Sequence, residues 1–263
     1  MLATDCTRKL GGPMLLQSLI GANRSRQPAD GASREVLFFV HIPKCAGSSF
    51  RQVLKGWFGR DALFLDTHDV GELQRAVERL GRPPRAIAGH ISYGLHGALG
   101  LRPCYVSLVR HPLDRFASIH GHARRTPGHA LHEAARVMDL AAFYDFTLSN
   151  PGGRNRTLAI QCQFLSGARS FEEARRVIDR SYALVAPVER YEEFVAACAE
   201  RFDRPAAIPP PRNVSPEGPV GEEVRAPLEQ RIEADHAEDL RLYRYVCETF
   251  DARRGSLSFA LHA

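Results

Sequence analysis

Lysine is scarce in this chain: of 35 basic side chains along 263 residues, only Lys9, Lys44 and Lys55 are lysines. Arginine is the default cation, so a loop lysine marks a place that uses a compact charge on a flexible stem rather than a planar fork. Paired cysteines are missing too. The six cysteines, at 6, 45, 104, 162, 198 and 247, form no C-x-x-C pair, which speaks against a zinc knuckle or redox dithiol and leaves a reducing compartment as the expected one. The apolar run VLFFV at 36–40 is far too short to cross a bilayer, and no apolar run in the chain approaches the length a span needs, so no membrane-spanning helix is expected. H-E-x-x-H and G-x-x-x-x-G-K-[ST] are both absent. Neither a zinc-protease helix nor a Walker A loop is therefore encoded.

What is present is an ordinary globular composition, 44% hydrophobic, with a formal net charge of +5 and a pI near 9.0. That modest excess suits an anionic ligand better than a nucleic-acid-coating surface. Residues 1–34 read as a loosely ordered lead-in that ends in the linker-like NRSRQPADGAS. Its apolar patch after Arg8 and Lys9 resembles a signal peptide, but Pro13, Gln17 and Ser18 interrupt it and arginines follow, which argues against secretion. A single domain is expected over 35–263. Five short β-rich runs, at 36–40, 62–65, 86–92, 104–109 and 182–188, alternate with helical patterns, predicting an α/β fold with a mostly parallel central sheet flanked by helices. Phe50, Val53, Leu54 and Trp57 recur at helical spacing, as do Tyr191, Phe194, Val195, Cys198 and Phe202. A long helical pattern runs from about 222 to 250 and carries Leu240, Tyr243, Val246 and Phe250 on one face.

Two strand-to-helix junctions hold the chemistry. In HIPKCAGSSF (41–50) a strand runs into a short loop and then a helix, an order that directs free backbone N–H groups and a positive helix end at one point. Gly47 lets the backbone approach closely, Lys44 adds a movable charge, and Ser48 and Ser49 add hydroxyls. That is a site for phosphate or sulfate. In VRHPLDRFAS (109–118), Arg110 ends a strand, Pro112 opens the next helix, and Ser118 lies about two turns in, ~9 Å of rise from Pro112. Taken singly, the first loop reads equally as a capped helix, and Arg110 as a surface salt bridge.

Together the two junctions resemble the sulfotransferases that use 3′-phosphoadenosine-5′-phosphosulfate (PAPS), in the branch of the carbohydrate and heparan sulfate 2-O-sulfotransferases and their soluble bacterial relatives. HIPKCAGSSF resembles the family's 5′-phosphosulfate loop, and VRHPLDRFAS its 3′-phosphate motif R-D-P-x-x-R-x-x-S. AGHISYG (88–94) is similar to the segment with the catalytic histidine, and PRNVSP to a late loop over the nucleotide. Cys45 and Ala46 stand where the family often has a hydroxyl and a glycine, and His111 stands in place of the usual aspartate.

The resemblance implies a P-loop-NTPase-like sulfotransferase fold and transfer of a sulfuryl group from PAPS to a hydroxyl acceptor, a saccharide by branch, leaving 3′-phosphoadenosine 5′-phosphate (PAP). It implies Lys44 as stabiliser of the leaving phosphate and His90 as general base. Donor contacts are expected from Lys44, Cys45, Ala46, Gly47, Ser48, Ser49, Arg110 and Ser118, with Arg212, Asn213 and Ser215 in the late loop. QCQFLSG (161–167) is expected near the acceptor. No metal, nucleic-acid or integral membrane partner is implied, and the location is cytoplasmic. Three alternatives stay open: a nucleotide-dependent phosphotransferase, a non-catalytic nucleotide-binding module, and a zinc site built from His120, His122, His129, His132 and Glu133.

Overall fold

The structure, a computed structural model, describes residues 35–206 and 221–259. The five apolar runs form β1 (Val36–Val40), β2 (Ala62–Phe64), β3 (Ala86–Gly89), β4 (Pro103–Val109) and β5 (Tyr182–Pro187). They make one sheet in the order β2-β3-β1-β4-β5, and every pairing is parallel. All five residues of β1 are buried, as expected for a central parallel strand covered on both faces. The third run is shorter than its sequence suggests: β3 ends at Gly89, and the chain bends at His90. A Cβ at Gly89 would stand 1.5 Å from the Leu65 carbonyl oxygen. Glycine therefore lets the loop after β2 close onto the end of β3.

The helices follow in chain order as α1 (Gly47–Phe58), α2 (Val70–Leu80), α3 (Pro112–Arg125), α4 (His132–Val137), α5 (Leu140–Ser149), α6 (Pro151–Asn155), α7 (Ile160–Ser166), α8 (Phe171–Ser181), α9 (Tyr191–Arg201), α10 (Glu222–Asp235) and α11 (Ala237–Phe259). Adjacent residues of β1 serve opposite faces of the sheet. Phe39 meets Phe50 of α1 edge-on at 4.8 Å, and Phe50 meets Phe194 of α9 at 4.9 Å. Phe38 meets Tyr105, which also contacts Tyr93 and Tyr182.

The C-terminal pattern expected as one helix is two, parted at His236. The halves pack in different layers: Leu228 and Ile232 of α10 join a cluster with Leu113, Phe116, Phe143 and Tyr144, whereas Leu242, Val246 and Phe250 of α11 enter the core beneath the sheet. One straight rod cannot serve both. Helix α3 belongs to the first of these layers, so it leaves the sheet at the end of β4 to pack on α5 and α10.

Strand order locates the cleft. From β1 the chain goes outward to β2, returns to β3, then crosses to β4 and β5 on the other side. The connections leaving β1 and β4 thus diverge at their carboxyl ends, the switch point where open parallel sheets bind ligands. The loop after β1 and the junction after β4 are the two segments singled out by sequence.

Candidate functional site

The β1–α1 loop is built for close approach. Lys44 and Ala46 both adopt left-handed backbone, at φ 68° and 55°, which costs non-glycine residues roughly 1–2 kcal/mol each. Ala46 is the N-cap of α1 and offers no side-chain cap, and the first turn of the helix contains no acidic residue. The Cys45 N–H bonds the Ile42 carbonyl and the Ser49 N–H that of Ala46. The N–H groups of Gly47 and Ser48 have no partner among the described residues. Uncapped N–H groups at a helix start are donors for an anion. Gly47 is required here because a Cβ would fall 1.8 Å from Cδ2 of His41, whose ring lies against it.

Lys44 supplies the charge. Burial holds its ammonium below the usual lysine range, and the positive Arg125 and Arg110 lower it further. Three cations at one place repel one another, and an anion among them is attracted by all three. Arg125, at the end of α3, was not singled out by sequence. Ser48 is exposed, while Ser49 and Ser118 are half-buried.

The second junction is pinned to the first. Arg110 Nη1 reaches the Lys44 carbonyl at 3.4 Å. The Arg110 backbone is bound in both directions by one side chain, Gln161, whose Oε1 accepts from the Arg110 N–H at 2.9 Å and whose Nε2 donates to its carbonyl at 2.9 Å. The same Oε1 accepts from Cys45 Sγ at 3.6 Å. Burial pushes the Cys45 thiol up to about 12, so it serves as a neutral donor inside the loop, not as a nucleophile. Arg115, which fills the second arginine place of the 3′-phosphate motif, is wholly buried and donates from Nη2 to the Thr157 carbonyl at 2.9 Å. His111 caps α3 through its backbone, with its ring edge-on to Tyr243 and 3.9 Å from Asp114.

His90 follows Gly89 at the end of β3. Its Nδ1 lies 2.8 Å from the carbonyl oxygen of His41. A carbonyl only accepts, so Nδ1 carries the hydrogen, and in the neutral form of the ring the lone pair lies on Nε2. Asp66 accepts from the His90 backbone N–H at 3.0 Å and pairs with Arg51 at 3.4 Å. Burial alone would raise the Asp66 carboxyl, but that N–H bond and the positive neighbours together hold it below its ordinary value. The His41 ring stacks on His90 with centroids 4.3 Å apart. Burial and the neighbouring His90 drive His41 down to about 3, so this supporting ring stays neutral. His41 and Asp66 went unnoticed in the sequence.

His120 and His132 are tied elsewhere, whereas burial and the nearby Lys44 hold His122 and His129 below the ordinary imidazole range. His120 Nε2 donates to the carbonyls of Ala135 and Met138, and His132 Nδ1 to that of Ala123. Those ring nitrogens fasten α4 to α3. Among the described residues no group of three or more His, Cys, Asp or Glu side chains is arranged to hold a metal ion. Of QCQFLSG, Gln161 and Cys162 are fully buried behind the two junctions, and Phe164 stands edge-on to His68 and His90. Tyr93 of AGHISYG anchors its segment, donating its N–H to the Phe164 carbonyl and sharing a hydrogen bond with Ser181. Arg212, Asn213 and Ser215 lie outside the described residues, as does the lead-in. No helix among the described residues is long and apolar enough to cross a membrane.

No known protein family matches the chain, and no curated protein does. Among solved structures, a sulfotransferase from Alicyclobacillus acidocaldarius is similar at 15% identity, over 85% of this chain and 100% of that one, with a TM-score of 0.49. The mouse sulfotransferase SULT7A1 complexed with PAP is similar at 14% identity, over 76% of this chain and 84% of that one, with a TM-score of 0.43.

Proposed function

We propose that residues 35–263 act as a single PAPS-dependent sulfotransferase domain that moves a sulfuryl group to a hydroxyl acceptor, a saccharide by the branch its motifs resemble. The carrying observation is the meeting, at the switch point between β1 and β4, of the uncapped α1 N-terminus, Lys44 and Arg110, with His90 hung from the carbonyl of His41 in the same loop. The 5′-phosphosulfate lies on the N–H groups of Gly47 and Ser48 with Lys44 beside it. Arg110 and Ser118 take the 3′-phosphate.

The acceptor oxygen attacks sulfur from the side opposite the 5′-phosphate oxygen. The new S–O bond forms as the old one breaks, and the bonding pair passes to the phosphate oxygen, where Lys44 and the helix N-terminus stabilise the charge. The acceptor's proton goes to His90 Nε2, the nitrogen left unprotonated by the bond from Nδ1. Sulfated acceptor, PAP and a protonated His90 result. No step calls for a metal.

The test is ligand stabilisation of the purified chain. PAP is expected to raise the melting temperature in a concentration-dependent way, by the free energy of binding to the native state alone, and ATP far less. Equal shifts from ATP and PAP would replace this reading with a phosphotransferase.

A further inference from the structure

We infer that Gln161 is a positioning residue that sets the spacing between the two phosphate-binding junctions. The inference rests on the sulfotransferase reading for its ligand, but not for its geometry. Gln161 is 0% exposed, at the start of α7. Its amide reaches across 51 residues to bind the Arg110 backbone in both directions and across 116 residues to accept from Cys45. One planar group therefore touches the loop that bears Lys44 and the junction that bears Arg110.

The backbone that carries this amide is itself held. Asp239 of α11 accepts from the N–H of Gln161 at 3.3 Å and of Cys162 at 3.0 Å, closing the N-terminus of α7. The line runs from α11 through α7 to both junctions. A ligand with two phosphates gains from sites already fixed at its own spacing, because the second contact is then intramolecular. A ligand with one phosphate gains nothing from that spacing. Gln161 touches neither phosphate. It acts through Arg110 and Cys45.

The experiment compares the full chain with Gln161→Leu and Gln161→Glu by calorimetry against PAP, adenosine 5′-monophosphate and adenosine 3′-monophosphate. In Gln161→Leu, PAP binding is expected to weaken about tenfold or more and each monophosphate by less than about threefold. Gln161→Glu, which keeps the accepting oxygen but loses the donor, falls between and carries the test if the leucine variant does not fold. Equal weakening of all three ligands would reduce Gln161 to an ordinary packing residue and overturn the inference. Amide exchange on ligand-free protein supplies an independent arm: residues 44–49 and Arg110 should exchange faster in the variants, with β1 and β4 unchanged. If the unmodified chain binds none of the nucleotides, the sulfotransferase reading fails, and the exchange result alone decides whether the strap exists; unaltered protection at Arg110 would remove it.

Discussion

The two junctions would bind the proposed nucleotide through different parts of the chain. After β1 the backbone itself is the receptor, bent by two left-handed non-glycine residues so that the start of α1 is open and uncapped. After β4 the backbone is fully engaged with Gln161, and only the Arg110 side chain is offered. A receptor made of main chain is indifferent to most side-chain changes but sensitive to conformation, whereas one made of a guanidinium depends on a single residue. The first junction also holds His90, the proposed general base, through the His41 carbonyl. In the proposed function, chemistry belongs to the first and nucleotide selection to the second.

The largest effect expected from this division is kinetic. His90→Ala should lower kcat by about 10² to 10⁴, the usual range for a lost general base, while PAP binding stays nearly intact. Product formation from labelled donor, alongside calorimetry with PAP, checks both halves. An active variant would move the proton acceptor elsewhere.

A smaller effect is expected at the second junction. Arg110→Ala should weaken PAP by about 2 kcal/mol, a charge-assisted contact in a half-buried site, and leave adenosine 5′-phosphosulfate, which lacks the 3′-phosphate, almost unchanged. Similar losses for both ligands would erase the distinction between the junctions.

The smallest effect concerns the bent backbone. Ala46→Gly relieves a left-handed strain of roughly 1 kcal/mol and loses part of that to the more flexible unfolded chain, leaving a gain of about 0.5 kcal/mol in denaturant titration. A clear loss of stability would mean that the Ala46 methyl packs more than it strains.

Much of this architecture is legible in one dimension. The five strands, α1 and α9 follow from apolar runs and helical spacing, because a buried parallel strand and an amphipathic helix each satisfy their backbone locally or with a neighbour of the same kind. The motifs around Lys44, His90 and Arg110 are contiguous, so their residues could be named before any fold. The break at His236 was hidden because periodicity reports a helix's apolar face, not which layer covers it. The roles of Gln161, Arg115, Asp66 and His41 were hidden for a related reason: each acts through partners distant in sequence or through its backbone.

The sequence by itself determined the α/β alternation, the strand–loop–helix order around Lys44 after β1, and the spacing of Arg110 from Ser118. The tertiary structure alone decided that the two junctions meet, that His90 holds its hydrogen on Nδ1, and that His120 and His132 fasten α4 to α3. Strand pairing order and the direction of a hydrogen bond are relations between segments, and no local pattern of residues encodes them.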